Sequence, residues 1–106
     1  MTSMFITRVE LHGVQHDHEA YNTLHAAMER LGFSRTITGD SGETFYLPPA
    51  EYYCESTLTA EQVRSYAKGA ANETQRNSNV LVTGVQVGSI AWELPRVNRL
   101  ANWKAA

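Results

Sequence analysis

The apolar period of this chain switches from two to about 3.6 and back to two, and then does so again, and this limits the possible folds more than any other feature. Over Met4–Leu11 the residues alternate, with Phe5, Thr7, Val9 and Leu11 on one side and Ile6, Arg8 and Glu10 on the other, the pattern of a half-buried strand. Tyr21, Leu24, Met28 and Leu31 then fall on one stripe and predict a helix over Asp17–Leu31, with Asp17 as N-cap and Gly32 as the left-handed residue that ends it. Phe33–Thr38 and Thr44–Leu47 predict two strands joined by the turn Gly39-Asp40-Ser41-Gly42. Pro48-Pro49 breaks the second of these, because neither proline can donate to a ladder, and Glu51–Glu55 resumes the extended path. A bent strand at a sheet edge is expected there.

The second helix has a stronger start signal. Thr59-Ala60-Glu61-Gln62 reads as a capping box, with Leu58 and Val63 placed as a hydrophobic staple. Val63, Tyr66, Ala67 and Ala70 make its buried stripe, which fades near Asn72. Asn79–Val87 is apolar on both faces in its first half and predicts a central strand. Ile90–Leu94, stopped by Pro95, predicts a short fifth strand, and the spacing of Val97, Leu100 and Trp103 predicts a docked helical turn. The order strand, helix, strand, strand, helix, strand predicts an α+β fold: a ferredoxin-like βαββαβ antiparallel sheet with two helices on one face, plus a short C-terminal strand. A chain of 106 residues supports one core, read as a domain over 1–95 and a basic tail over 96–106.

Charge narrows the function classes. Residues 1–95 carry six bases against eleven acids, a net −5, while Arg96, Arg99 and Lys104 lie in a tail with no acid. Contact with nucleic acid therefore needs a local patch or the tail, since the body as a whole repels phosphate. The single cysteine, Cys54, rules out an internal disulfide, and no apolar run approaches the length of a membrane span. Met1–Arg8 lacks a secretory pattern, so a cytoplasmic protein is expected.

Few side chains stand out as chemistry. His12, His16 and His18 crowd one loop around Asp17; this is not the helical spacing that puts two ligands on one face, and the reading favours a polar loop over a metal site. His25 sits beside the apolar stripe and reads as a boundary residue, and Cys54, with no base next to it, as an inert thiol. Tyr46, Tyr52 and Tyr53 offer stacking faces or core packing. Arg35, sharing a strand face with Phe33 and Ile37, is either a site residue or a charge that snorkels to solvent. No phosphate-binding glycine loop and no Ser–His–Asp order is present, and no cofactor is expected.

The stretch 24–56, LHAAMERLGFSRTITGDSGETFYLPPAEYYCES, with the opening FITRVELHG, resembles a family of short bacterial and phage-borne proteins, the type V toxin–antitoxin endoribonuclease antitoxins. The likeness covers residues 4–87 and leaves out the tail. It implies a ferredoxin-like fold similar to that of small dimeric CRISPR-associated nucleases, pairing as a homodimer through sheet edges, and cleavage of a partner toxin's messenger RNA. Those nucleases carry an aspartate at the end of the first strand. Here Glu10 and His12 stand at that place, and with Arg35 they form the catalytic candidates the resemblance suggests. Arg8, Arg35, Arg96, Arg99 and Lys104 are the candidates for contact with single-stranded RNA. The other reading is a non-enzymatic phage or mobile-element protein whose acidic body docks on a host protein.

Overall fold

A computed structural model describes residues 2–86 and 88–97. The elements run β1 (Ser3–Leu11), α1 (Glu19–Arg30), β2 (Thr36–Thr38), β3 (Thr44–Tyr46), β4 (Glu51–Ser56), α2 (Ala60–Asn72) and β5 (Ser78–Val85). The fold is α+β, with two helices, an antiparallel three-stranded sheet in the order β4-β1-β5, and a two-stranded sheet of β2 and β3. Element order follows the expected ferredoxin-like plan, with the strand after the hairpin turn broken in two. The strand order differs slightly: β2 and β3 form a sheet of their own, joined to β4 through the Ser34–Tyr53 bridge.

β1 is central because it is the strand that is apolar where it must be. Phe5, Thr7, Val9 and Leu11 are all buried under the helices, and Ile6, Arg8 and Glu10 face the opposite side. The register sets Arg8 between Glu51 of β4 and Leu81 of β5, so these three share the open face of the sheet. Asn79–Val87 was expected to be central, yet β5 is an edge strand whose outer residue Leu81 is 63% exposed. The apolar run there reflects one buried face, carrying Val80 and Val82 against the core, and one open face. The bent strand does lie at an edge. β4 ends the three-stranded sheet, and on its outer side, among the described residues, it meets only the single bridge from Tyr53 to Ser34.

The helix ends follow local chemistry. Gly32 takes φ 92°, its N–H donates to the Glu29 carbonyl at 3.0 Å, and the Phe33 N–H reaches back to Met28 at the same distance. That is a Schellman ending, closed by contact between two buried residues, Met28 and Phe33. At the other end the N-cap is His18 and not Asp17: the His18 Nδ1 accepts from the Ala20 N–H at 3.0 Å, and the helix starts two residues later than expected. α2 has its capping box, with the Thr59 N–H donating to Gln62 at 2.9 Å and the Gln62 N–H to Thr59 Oγ1 at 3.2 Å. Leu31 and Tyr66, assigned to the buried stripes, are 47% and 53% exposed. Ala67 and Ala70 are buried on α2 as expected, and further alanines complete the stripes, Ala20 and Ala27 on α1 and Ala71 on α2. Small side chains let the helices approach the sheet closely.

Around Pro48-Pro49 the chain turns. The Glu51 N–H donates to the Pro48 carbonyl at 3.1 Å, Ala50 takes φ 69°, and the Ala50 carbonyl accepts from the Val9 N–H at 2.8 Å, restoring the pairing with β1. Residues 90–94 do not form the expected strand. Ile90, Trp92 and Leu94 are half-buried and alternate with exposed Ala91 and Glu93. Pairing begins only at Pro95, whose carbonyl accepts from Tyr46 at 2.9 Å, and continues with Val97 donating to Thr44 at 2.9 Å. Proline lacks a donor, but its carbonyl serves the edge of β3. Leu100 and Trp103, the rest of the expected helical turn, lie outside the described residues.

One core residue is under-satisfied. Thr7 is fully buried on the inner face of β1, and its Oγ1 has no hydrogen-bond partner among the described residues. Thr7→Val removes the stranded hydroxyl with almost no change of shape, and is expected to raise the unfolding free energy by about 1 kcal/mol. Urea unfolding monitored by fluorescence checks this; an unchanged or lower midpoint counts against it.

Candidate functional site

Among the described residues the densest polar cluster forms at the C-terminal end of β1. Glu10 is its hub. Arg8 donates to Glu10 Oε1 at 2.7 Å and to Glu51 Oε2 at 3.2 Å. The Nε2 of His16 lies 3.0 Å from Glu10 Oε2, and the Tyr21 hydroxyl donates to the same oxygen at 3.3 Å while accepting from the Leu11 N–H at 2.9 Å. Gly13, with φ 81°, turns the chain back so that His16, six residues past Glu10, meets it. The His16 ring also meets Tyr21 edge to face, with centroids 5.2 Å apart. Partial burial pushes the Glu10 carboxyl up, but the hydrogen bond and charge of His16, followed by those of Arg8, outweigh it and hold the carboxyl below its usual range. Glu10 is therefore an ionised acceptor at neutral pH, and the imidazole bonded to it is oriented for proton transfer.

A second pair continues along α1. Tyr21 and His25, one turn apart, have ring centroids 6.2 Å apart, and His25 Nδ1 lies 2.6 Å from the Tyr52 hydroxyl. Burial and then the Arg35 charge push the His25 imidazole down to about 4; burial pushes the Tyr52 phenol up. Because the unfolded imidazole titrates near 6.5, the unfolded chain takes up a proton that the folded chain refuses as pH falls. The contribution of His25 to stability is complete above pH 6.5 and is lost as pH drops toward 4. A series of urea midpoints across that window is expected to fall more steeply for the native chain than for His25→Gln, and parallel slopes would sink the assignment.

Of the catalytic candidates, Glu10 is in the cluster and His12 is not. The His12 backbone N–H donates to the Asn77 carbonyl at 2.8 Å and the residue is exposed, so His16 and not His12 partners Glu10. Arg35 is exposed because the chain bends there, between the Ser34 bridge and β2, which leaves Phe33 and Ile37 buried on either side of it. It flanks the His25–Tyr52 pair and not Glu10. Among the RNA-contact candidates, Arg8 is held by two carboxylates, Arg96 pairs with Glu43 at 3.0 Å, and Arg99 and Lys104 lie outside the described residues.

The histidine loop does not converge. His18 caps α1, His16 binds Glu10, and among the described residues no three His, Cys, Asp or Glu side chains come together around a metal position. Cys54 is buried with its thiol pushed up by burial and then by Glu55, an unreactive state. Tyr52 is fully buried and offers no stacking face; Tyr53 sits half-buried on the open face of the sheet beside Ile6. The roles of His16 and His25 are not evident from the sequence pattern. The i, i+4 spacing of Tyr21 and His25 was a visible hint, whereas Tyr52 is 27 residues from His25 and nothing local links them.

No helix among the described residues is long and apolar enough to cross a membrane. Comparison with family models, with curated proteins and with solved structures finds no match for this chain.

Proposed function

We propose that this chain is a cytoplasmic, antitoxin-like protein that acts as a homodimer on single-stranded RNA and cleaves it as an endoribonuclease directed at toxin messenger RNA. The observation that carries the reading is the Glu10–His16 dyad with Arg8 at 2.7 Å from the same carboxylate. A carboxylate bonded to one imidazole nitrogen leaves the other to take a proton and stabilises the imidazolium that results. On RNA, His16 Nδ1 takes the proton of a ribose 2′-hydroxyl. The 2′-oxygen bonds to phosphorus, and the bond from phosphorus to the 5′-oxygen breaks. The departing oxygen takes a proton from water, leaving a 2′,3′-cyclic phosphate. Arg8 offsets charge on the phosphoryl oxygens, and Arg35 contacts a neighbouring phosphate. The open edge of β5, with exposed Leu81, supports pairing of two copies.

The test is incubation of the purified chain with a pool of single-stranded RNAs, with and without EDTA, beside His16→Ala. Selective cleavage reduced about 10²–10⁴-fold in the variant is the expected result. Cleavage unaffected by His16→Ala removes the dyad from the mechanism. Intact RNA throughout overturns the nuclease reading and favours the second one, a protein that docks on a host protein, which the net −5 of residues 1–95 supports.

A further inference from the structure

The hydrogen bond between His25 and Tyr52 leaves one arrangement of protons. Tyr52 is fully buried, and among the described residues its hydroxyl has His25 Nδ1 as its one hydrogen-bond partner, at 2.6 Å. A buried phenol keeps its proton and must donate it, and Nδ1 can accept only through its lone pair. The imidazole proton therefore sits on Nε2. His25 is half-buried, so the ring lies at the boundary between core and solvent with its tautomer held by the group behind it.

Arg35 stands beside this pair. Ser34 and Tyr53 exchange both backbone hydrogen bonds at 2.8 Å, which sets Arg35 opposite Tyr52 on the adjoining segment. The Leu47 N–H donates to the Arg35 carbonyl at 2.9 Å and holds that backbone in place. The guanidinium charge is felt by both His25 and Tyr52. Yet among the described residues Arg35, like Arg76, makes no ion pair, whereas Arg8, Arg30, Arg64 and Arg96 each have a carboxylate. Glu29, one turn beyond His25, acts on Tyr52 but does not pair with Arg35.

We propose that His25 Nε2–H and the Arg35 guanidinium together form a binding site for a phosphate group on the rim between α1 and β2. A neutral N–H fixed in direction and a two-pronged cationic donor suit a tetrahedral oxyanion, whose several oxygens accept from both at once. The phosphate belongs either to a nucleic-acid backbone or to free phosphate. The site extends the RNA reading by naming a second contact away from Glu10, but does not depend on cleavage.

The experiment is imidazole nitrogen–proton correlation spectroscopy on the full chain, uniformly nitrogen-labelled, titrated with inorganic phosphate and separately with a dinucleoside phosphodiester. The free protein is expected to show His25 as the Nε2–H tautomer. Millimolar probe should move the His25 Nε2–H signal, with affinity lowered on the order of tenfold in Arg35→Gln and unchanged in Arg64→Gln. Tyr52→Phe, which frees the tautomer, should weaken binding while the amide spectrum stays folded. Movement with the diester alone identifies a backbone phosphate, and movement with inorganic phosphate alone identifies the free ion. An Nδ1–H tautomer, or a His25 signal that moves with neither probe, overturns the site. Phosphate binding without RNA cleavage keeps the site and removes only the nuclease reading; cleavage with a silent His25 does the reverse.

Discussion

Leu24→Ala is expected to lower the unfolding free energy by about 3 kcal/mol. Leu24 is fully buried at the centre of the α1 stripe, in one cluster with Val9, Tyr52 and Val63. The loss combines the transfer energy of the missing methyl groups with the cavity they leave. The cavity term is large here because much of the opposing helix surface is alanine, at Ala67, Ala70 and Ala71, and alanine cannot swing in to fill a void. A small domain has only some 5–15 kcal/mol of stability, so the variant should remain folded at room temperature and unfold at clearly lower urea. A drop below about 1 kcal/mol would mean that the helices close over the gap, and that the core is looser than its burial suggests.

Glu10→Gln is expected to lower RNA cleavage by about 10²–10⁴-fold with little change in folding. The amide keeps the shape and can still accept from Tyr21, but it carries no charge to stabilise a His16 imidazolium. It also frees Arg8 from its 2.7 Å partner while leaving Glu51 in place. RNA affinity should therefore hold or rise slightly as a negative charge is removed, so the loss falls on the rate of cleavage and not on binding. The measurement is single-turnover cleavage with a binding titration on the same RNA. Equal loss in Glu10→Gln and His16→Ala, with no further loss in the double variant, would show that they act as one unit. Independent, additive losses would separate them.

The local elements were legible because their signals are local. The capping box at Thr59 and Gln62, the glycine at 32 and the alternation of β1 each depend on residues within a turn or two of one another, and each appears in the fold. The two prolines broke a strand where they had to, since the missing donors are a property of the residue itself. The N-cap was the local exception. Asp17 and His18 both offer an acceptor, and which one meets the first free N–H depends on how the loop from Gly13 approaches the helix.

The candidate site was half legible. Glu10, Arg8 and Arg35 are legible in the sequence, but nothing local to the loop sets His16 apart from His12. The alternation that projects Glu10 outward ends with β1, and after Gly13 the direction of each imidazole is set by the turn, which periodicity does not report. The pairing of His25 with Tyr52 links a helix to a strand across the core. It exists because α1 packs on the sheet at one particular rotation, to which Tyr21, Leu24 and Met28 all contribute.

By itself the sequence determined an α+β chain of two capped helices and antiparallel strands, with β1 buried on its Phe5 face, because propensity, capping and period are encoded among near neighbours. Tertiary structure decided which strands lie at the edge, which stripe residues stay exposed, and which imidazole meets which partner. Those outcomes depend on contacts between residues far apart in sequence. Their free energy is counted only when the layers close, so a strand such as β5 can be apolar on both sides and still have its Leu81 in water.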